Sequence, residues 1–187
     1  MPLLFQYGSN CDTTRLNSPE RLAGAAEDLG WAETIEEYDL AFDVWSGGNK
    51  CAASDLVPAP GTGRHALGVL FEVPADWIRG KKRPDGKKTM EEIEGSRYAP
   101  TPIHVRNQSG EEVEATTFLV KPDQRRDGFS TSAEYVGYIV NGLRAHDVPE
   151  EYVQHVIDIA IQTNQRAIAT AVAIAQSRQI ETLRPPR

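Results

Sequence analysis

Along the chain, apolar positions fall into short runs and alternations that stop at glycine, proline or small polar residues. Leu3-Leu4-Phe5 runs into Gln6-Tyr7-Gly8-Ser9-Asn10, the pattern of a buried strand that ends at a loop. Between Asp12 and Ala26, Arg15, Leu16 and Leu22 are interleaved with Ser18-Pro19, a cap followed by proline, which predicts short helices. Strands are expected over Trp31–Ile35 and Tyr38–Trp45, where Leu40, Phe42 and Val44 alternate with polar or small residues; Ser46-Gly47-Gly48-Asn49 is a turn. Cys51–Pro58 and Ala66–Val73 flank Pro60-Gly61-Thr62-Gly63 and are expected to pair as a hairpin. The second arm, with Leu67-Gly68-Val69-Leu70-Phe71 almost continuously apolar, should be a central strand.

Ala75–Arg79 predicts one helical turn closed by Gly80. Six of the chain's 20 basic residues then lie between Arg79 and Lys88. Such a run is read as a solvated mobile loop, the alternative being a rim that attracts acidic substrates. Thr89-Met90-Glu91-Glu92-Ile93-Glu94-Gly95 predicts a short helix with a capping box, Thr89 as N-cap and Glu92 reaching back to it, anchored by Met90 and Ile93. Tyr98–Val105 and Val113–Val120 form a strand pair about Asn107-Gln108-Ser109-Gly110. After a polar loop over Lys121–Phe129, a second capping box, Thr131 with Glu134, opens a helix carrying Tyr135, Tyr138, Ile139 and Leu143 on one face. From Pro149 towards Thr182 the helical pattern has no breaker and is broadly apolar, so this helix either wraps the domain or packs on a second subunit.

At 187 residues the chain can bury a sizeable core as one domain. A net charge of -7 argues against nucleic acid as the main partner, because phosphate neutralisation needs a basic face; a small molecule fits better. No apolar run approaches a membrane span, and Met1–Gln6 is too short for a signal peptide's apolar region, so a cytoplasmic protein without a membrane partner is expected. Cys11 and Cys51 lack metal-ligand spacing and read as free thiols.

Two stretches carry candidate chemistry. Backbone N–H groups of Tyr7–Asn10 can form a nest for a carboxylate or phosphate, with Gly8 at positive φ and Ser9 or Asn10 capping a helix near Thr13. An ordinary strand-to-helix turn would look the same. Glu94 falls at the negative end of a helix dipole beside Glu91 and Glu92, influences that raise a carboxyl pKa and suit a general base. An acidic surface helix explains the same residues. Ser9 as a nucleophile would need a base, and His65, His104, His146 and His155 fall in no triad pattern.

Taken together, Leu4-Phe5-Gln6-Tyr7-Gly8-Ser9-Asn10, the strands Asp55-Leu56-Val57-Pro58 and Gly68-Val69-Leu70-Phe71, Glu91-Glu92-Ile93-Glu94-Gly95 with Tyr98, Glu134-Tyr135, and Asp147-Val148-Pro149-Glu150-Glu151-Tyr152 resemble the gamma-glutamylcyclotransferase family. The resemblance covers residues 1–161 and implies an α+β fold on a small mixed β-barrel with flanking helices, leaving 162–187 as a helical extension packed on the domain or on a homodimer partner. It implies conversion of a γ-glutamyl amino acid or amine into 5-oxoproline without a cofactor. Glu94 falls on the family's catalytic glutamate, Leu4, Phe5, Gln6, Tyr7, Gly8, Ser9 and Asn10 on its substrate loop, and Tyr135 and Tyr98 on substrate-contacting tyrosines. Two features depart from the family pattern: the link from Gly95 to Tyr98 is short, and the basic loop before Thr89 is an insertion. The alternative is a carboxylate-binding module on the same fold without turnover.

Overall fold

The computed structural model describes residues 1–80, 83 and 85–182, without the side chains of 177–182. In chain order the elements are β1 (Leu3–Gln6), a 3-10 turn over Ser9–Cys11, α1 (Thr13–Leu16), β2 (Glu27–Thr34), β3 (Tyr38–Ser46), β4 (Cys51–Pro58) and β5 (Leu67–Glu72). Then come α2 (Ala75–Ile78), α3 (Met90–Glu94), β6 (Tyr98–Asn107), β7 (Glu112–Val120), a 3-10 turn over Pro122–Gln124, α4 (Ala133–Ala145) and α5 (Glu150–Thr182). Five strands close a barrel in the order β1-β5-β2-β6-β7. It is mixed because β1 runs antiparallel to β5, with Leu4 opposite Phe71, and parallel to β7, with Leu4 opposite Thr116. Leu4, Phe5, Val69, Phe71 and Val105 are wholly buried, with Leu4, Val69 and Phe71 on one face of the barrel sheet and Phe5, next to Leu4 in β1, on the other. This is the α+β barrel with flanking helices that the resemblance implied.

The expected hairpin between Cys51–Pro58 and Ala66–Val73 does not form. β4 pairs with β3, Leu40 opposite Leu56, around the Ser46–Lys50 turn, and these two strands make a separate sheet. Two physical causes are visible. The Glu37 carboxylate accepts the N–H groups of Gly61, Thr62 and Gly63, so the glycine-rich segment folds over Glu37 instead of turning β4 back on β5. Both edges of β5 are also occupied, by β1 and β2. Its central position, expected from its apolar run, follows: Leu67 to Phe71 are all buried.

The Thr89–Glu92 capping box forms as expected. The second one does not. Asn164 of α5 accepts from the Thr131 N–H at 2.8 Å and donates to its carbonyl at 3.2 Å, which leaves Ser132 as the cap, accepting from the Tyr135 N–H. Near the N-terminus the cap of α1 is Asp12, not Ser9 or Asn10, which lie inside the 3-10 turn.

Lys81, Lys82 and Pro84 of the basic loop lie outside the described residues, but Arg83 within it is neither solvated nor on a rim. Its guanidinium is fully buried, 3.8 Å over the Trp77 ring, and donates to the carbonyls of Lys88 (3.0 Å) and Arg21 and to Asp85. With the Lys87 ammonium on the Pro19 carbonyl at 2.9 Å, it clamps the loop onto the turn that carries Arg21.

Along α5, Val153, Val156, Ala160, Thr163 and Ala167 are buried, whereas Ile161, Ile168 and Val172 are exposed. Among the described residues no helix is long and apolar enough to cross a membrane.

Candidate active site

The end of β1 and the loop after it form one wall of a cavity at the barrel's rim. Gln6, Tyr7, Gly8, Ser9, Asn10, Glu94, Tyr98 and Tyr135 line it, together with Ser54 and Phe118, around about 290 Å³ of empty space, part of it continuous with solvent. Leu4 and Phe5 do not reach it; both point into the core with no exposed surface. α3 presents Glu94 from its last turn, α4 presents Tyr135 from its first, and Tyr98 opens β6.

Gly8 has φ -102°, not the positive φ expected. Its lack of a side chain matters through proximity: a Cβ there would stand 2.3 Å from Ser54 Oγ and 3.7 Å from the Tyr135 hydroxyl. The Gly8 carbonyl accepts from the Cys11 N–H at 2.9 Å, and the N–H groups of Ser9 and Asn10, at the start of the 3-10 turn, have no acceptor within it.

Glu94 is half-buried and its Oε1 accepts from the Asn10 side-chain amide at 2.9 Å. Its pKa is raised, as the sequence suggested, but by burial; Arg21, the Asn10 hydrogen bond and Arg15 pull the other way. The carboxylates thought responsible are elsewhere, Glu91 in solvent and Glu92 in the capping box. The other Asn10 side-chain atom, Oδ1, is buried without a hydrogen-bond partner in a residue only 4% exposed. A buried orphan acceptor facing a polar cavity is a position for a ligand's N–H group.

The tyrosines differ in what remains free. The Tyr7 hydroxyl donates to the Phe118 carbonyl at 2.6 Å inside the protein, so this side chain locks the loop to β7. The Tyr98 hydroxyl donates to the Ser54 carbonyl at 2.9 Å. The Tyr135 hydroxyl accepts from the Ser54 N–H at 3.1 Å, lies 3.0 Å from Ser54 Oγ and is also within reach of the Ser9 side chain, so its proton goes to Ser54, to Ser9 or to a ligand. Burial raises the pKa of all three, so they are neutral hydrogen-bonding groups.

Ser54, which joins both tyrosines, was not found from the sequence; a small residue in an alternating strand carries no signal until β4 is placed against α4. Arg21 was missed for the same reason, being one charge in an irregular segment. None of the four histidines lines the cavity; His146, His155 and His104 bond to Asp28, Asp39 and Glu36, and His65 to the Thr34 carbonyl. Cys11 and Cys51 are free and buried, as expected of structural thiols.

A barrel of this topology with a polar cavity at the end of its first strand defines a gamma-glutamylcyclotransferase-like fold. The sequence model of the AIG2-like family matches residues 67–156. Among solved structures, a gamma-glutamyl cyclotransferase superposes with a TM-score of 0.67 at 19% identity, over 83% of this chain and 85% of that one. An uncharacterised protein from Homo sapiens gives 0.67 at 20%, over 82% and 85%. YkqA from Bacillus subtilis gives 0.65 at 18%, over 87% of this chain but 55% of its own. No curated protein matches the sequence at a significant level. The fold implied by the sequence motifs is thus the fold of the solved gamma-glutamyl cyclotransferase, and the AIG2-like match falls within the barrel and the helices that follow it.

Proposed function

We propose that the protein is a cyclotransferase that converts a γ-glutamyl amino acid or γ-glutamyl amine into 5-oxoproline and the free amino acid or amine. The observation that carries this reading is the Glu94 carboxyl, half-buried in the cavity, raised in pKa, and held by Asn10 beside that residue's unpartnered Oδ1. A site for simple carboxylate capture gains nothing from a second carboxylate; a proton-transfer site does.

The reaction joins the substrate's α-nitrogen to its own γ-carbonyl carbon and breaks the bond from that carbon to the leaving nitrogen. Both reacting groups sit in one molecule, so holding the glutamyl chain folded supplies much of the rate, an effect worth about 7–11 kcal/mol in well-oriented systems. The Ser9 and Asn10 N–H groups grip the α-carboxylate, and Asn10 Oδ1 accepts from the α-amine. Glu94 takes the proton that the α-ammonium must lose and later gives one to the departing amine. Tyr135 orients the chain, and loop N–H groups meet the charge developing on the carbonyl oxygen. Every proton passes between substrate and Glu94, so the cycle calls on no cofactor.

The test is 5-oxoproline formation from a panel of γ-glutamyl compounds by the unaltered protein and by Glu94→Gln. Loss of kcat by about 10²- to 10⁴-fold with substrate binding retained is expected. Turnover that survives the substitution would remove Glu94 from the mechanism, and binding without 5-oxoproline in the unaltered protein would leave a carboxylate-binding module.

A further inference from the structure

A second, wider chamber opens from the first. The two share Ser9, Asn10, Glu94, Tyr98 and Tyr135, and the outer one adds Arg15, Arg21, Arg97, Glu20, Trp45 and Asn49. If the inner cavity holds the glutamyl part, the scissile bond lies at Glu94 and whatever is released must pass into the outer chamber.

The chamber's guanidinium groups outnumber its carboxylates, and none of them is in an ion pair with Glu20 or Glu94 among the described residues. Among the described residues, the Arg21 side chain makes no hydrogen bond and no ion pair; its segment is held by its backbone carbonyl, which accepts from buried Arg83. Arg15 donates to Asn49 at 3.1 Å and stacks 4.2 Å over the Tyr138 ring, while its Nε is buried without a partner. Arg97, exposed at the outer edge, donates to the Trp45 carbonyl at 3.0 Å. Against these three cations stand Glu20, which is exposed, and Glu94, whose Oε1 is engaged by Asn10. Burial first, and then repulsion from Arg15, lower the Arg21 pKa against the pull of Glu94 and Glu20. Two half-buried like charges lining one polar chamber are a receptor for an anion.

We propose that the outer chamber is the leaving-group site and selects a leaving group that carries a carboxylate, with Arg21 as its main receptor and Arg15 as the second. The proposal rests on the cyclotransferase reading and decides between the substrate classes it left open. A leaving amino acid or peptide brings its carboxylate to the guanidinium groups; a cationic leaving amine meets repulsion there, a penalty as useful for selectivity as the attraction.

The test compares γ-glutamyl-alanine with γ-glutamyl-alaninamide, which differ only in the charged group, and with a γ-glutamyl diamine. With the unaltered protein, kcat/KM for the acid should exceed that for the amide by about 10- to 100-fold, a charge-assisted hydrogen-bond effect, with the diamine lowest. In Arg21→Gln the acid-to-amide ratio should fall to within about threefold of one, and Arg21→Lys should keep part of it, since charge survives without the bidentate fork. The ratio is the readout because removing Arg21 also disturbs Glu94, which affects both substrates alike. Equal turnover of acid and amide by the unaltered protein, or an unchanged ratio in Arg21→Gln, overturns the proposal while the cyclotransferase reading stands. Absence of 5-oxoproline from all three substrates overturns both.

Discussion

The Asp43 carboxyl lies behind the site, its side chain 17% exposed, and shares Arg125 with fully buried Asp55, at 3.8 Å and 2.7 Å respectively. Burial first, and then Asp55, push its pKa up to about 6, against the pull of Arg125. The folded protein therefore holds a proton on Asp43 that the unfolded chain, with an ordinary carboxyl near about 3.9, has released. Between those values the folded state binds more protons, so stability falls as pH rises, by at most about 3 kcal/mol. Asp43→Asn should remove this dependence and raise stability at pH 7 by about 1–2 kcal/mol, seen by comparing melting temperatures at pH 4.5 and 7.5. In the mechanism proposed above, Glu94 follows the same rule in activity. Its raised pKa places the acid limb of kcat/KM above the ordinary glutamate range, and Arg21→Gln should move that limb higher still because a cation that favours the ionised form is lost. A pH–rate profile of both proteins checks the sign. At this scale the meeting of Glu94, Tyr135 and the Tyr7–Asn10 loop in one cavity was legible through the order and spacing of motifs. Ser54, Arg21 and the pairing that makes Asp43 unusual were not, because each depends on neighbours distant in the chain.

Among the elements, α4 determines where the loop sits. At Gly142 a Cβ would stand 2.4 Å from both Cys11 C and Asp12 N, so the helix backbone packs directly against the turn that follows the Tyr7–Asn10 loop. Helix propensity alone predicts that Gly142→Ala stabilises by about 1 kcal/mol. The contact predicts the opposite, a loss of about 1–3 kcal/mol from overpacking against backbone that cannot yield. Urea unfolding of the variant decides the sign, with 5-oxoproline turnover expected to fall as the loop is displaced. Strands and helices were legible from alternation and caps, since these are local properties. Partners were not: β4 and β5 are adjacent in the chain and each is a plausible hairpin arm, yet closure of the barrel occupies both edges of β5 and leaves β4 to β3. The same holds for the cap of α4, moved one residue by Asn164 from another helix.

For the whole molecule, α5 packs on α4 and on β3. The helix runs unbroken through residue 162, and beyond that point Thr163, Asn164 and Ala167 still engage the body, after which 171–176 are exposed. A chain stopped after Gln162 should lose about 2 kcal/mol of stability with the Asn164–Thr131 pair and two buried side chains, read as a lowered melting temperature. If it melts with the full-length protein, the docked segment carries no stability.

The sequence by itself determined the α+β class, the existence of most elements, the buried character of Leu67–Phe71, the capping box before Glu94 and the candidate catalytic carboxyl. All of these depend on local periodicity, local hydrogen bonding or motif order, which survive without knowledge of contacts. Tertiary structure alone decided the closure of the barrel, the partner of β4, the burial of Arg83 inside a basic run, and the meeting of Ser54 with two tyrosines. It also brought Arg15 and Arg21 to face Glu94. Desolvation and proximity between distant residues set those outcomes, and neither is a function of sequence distance.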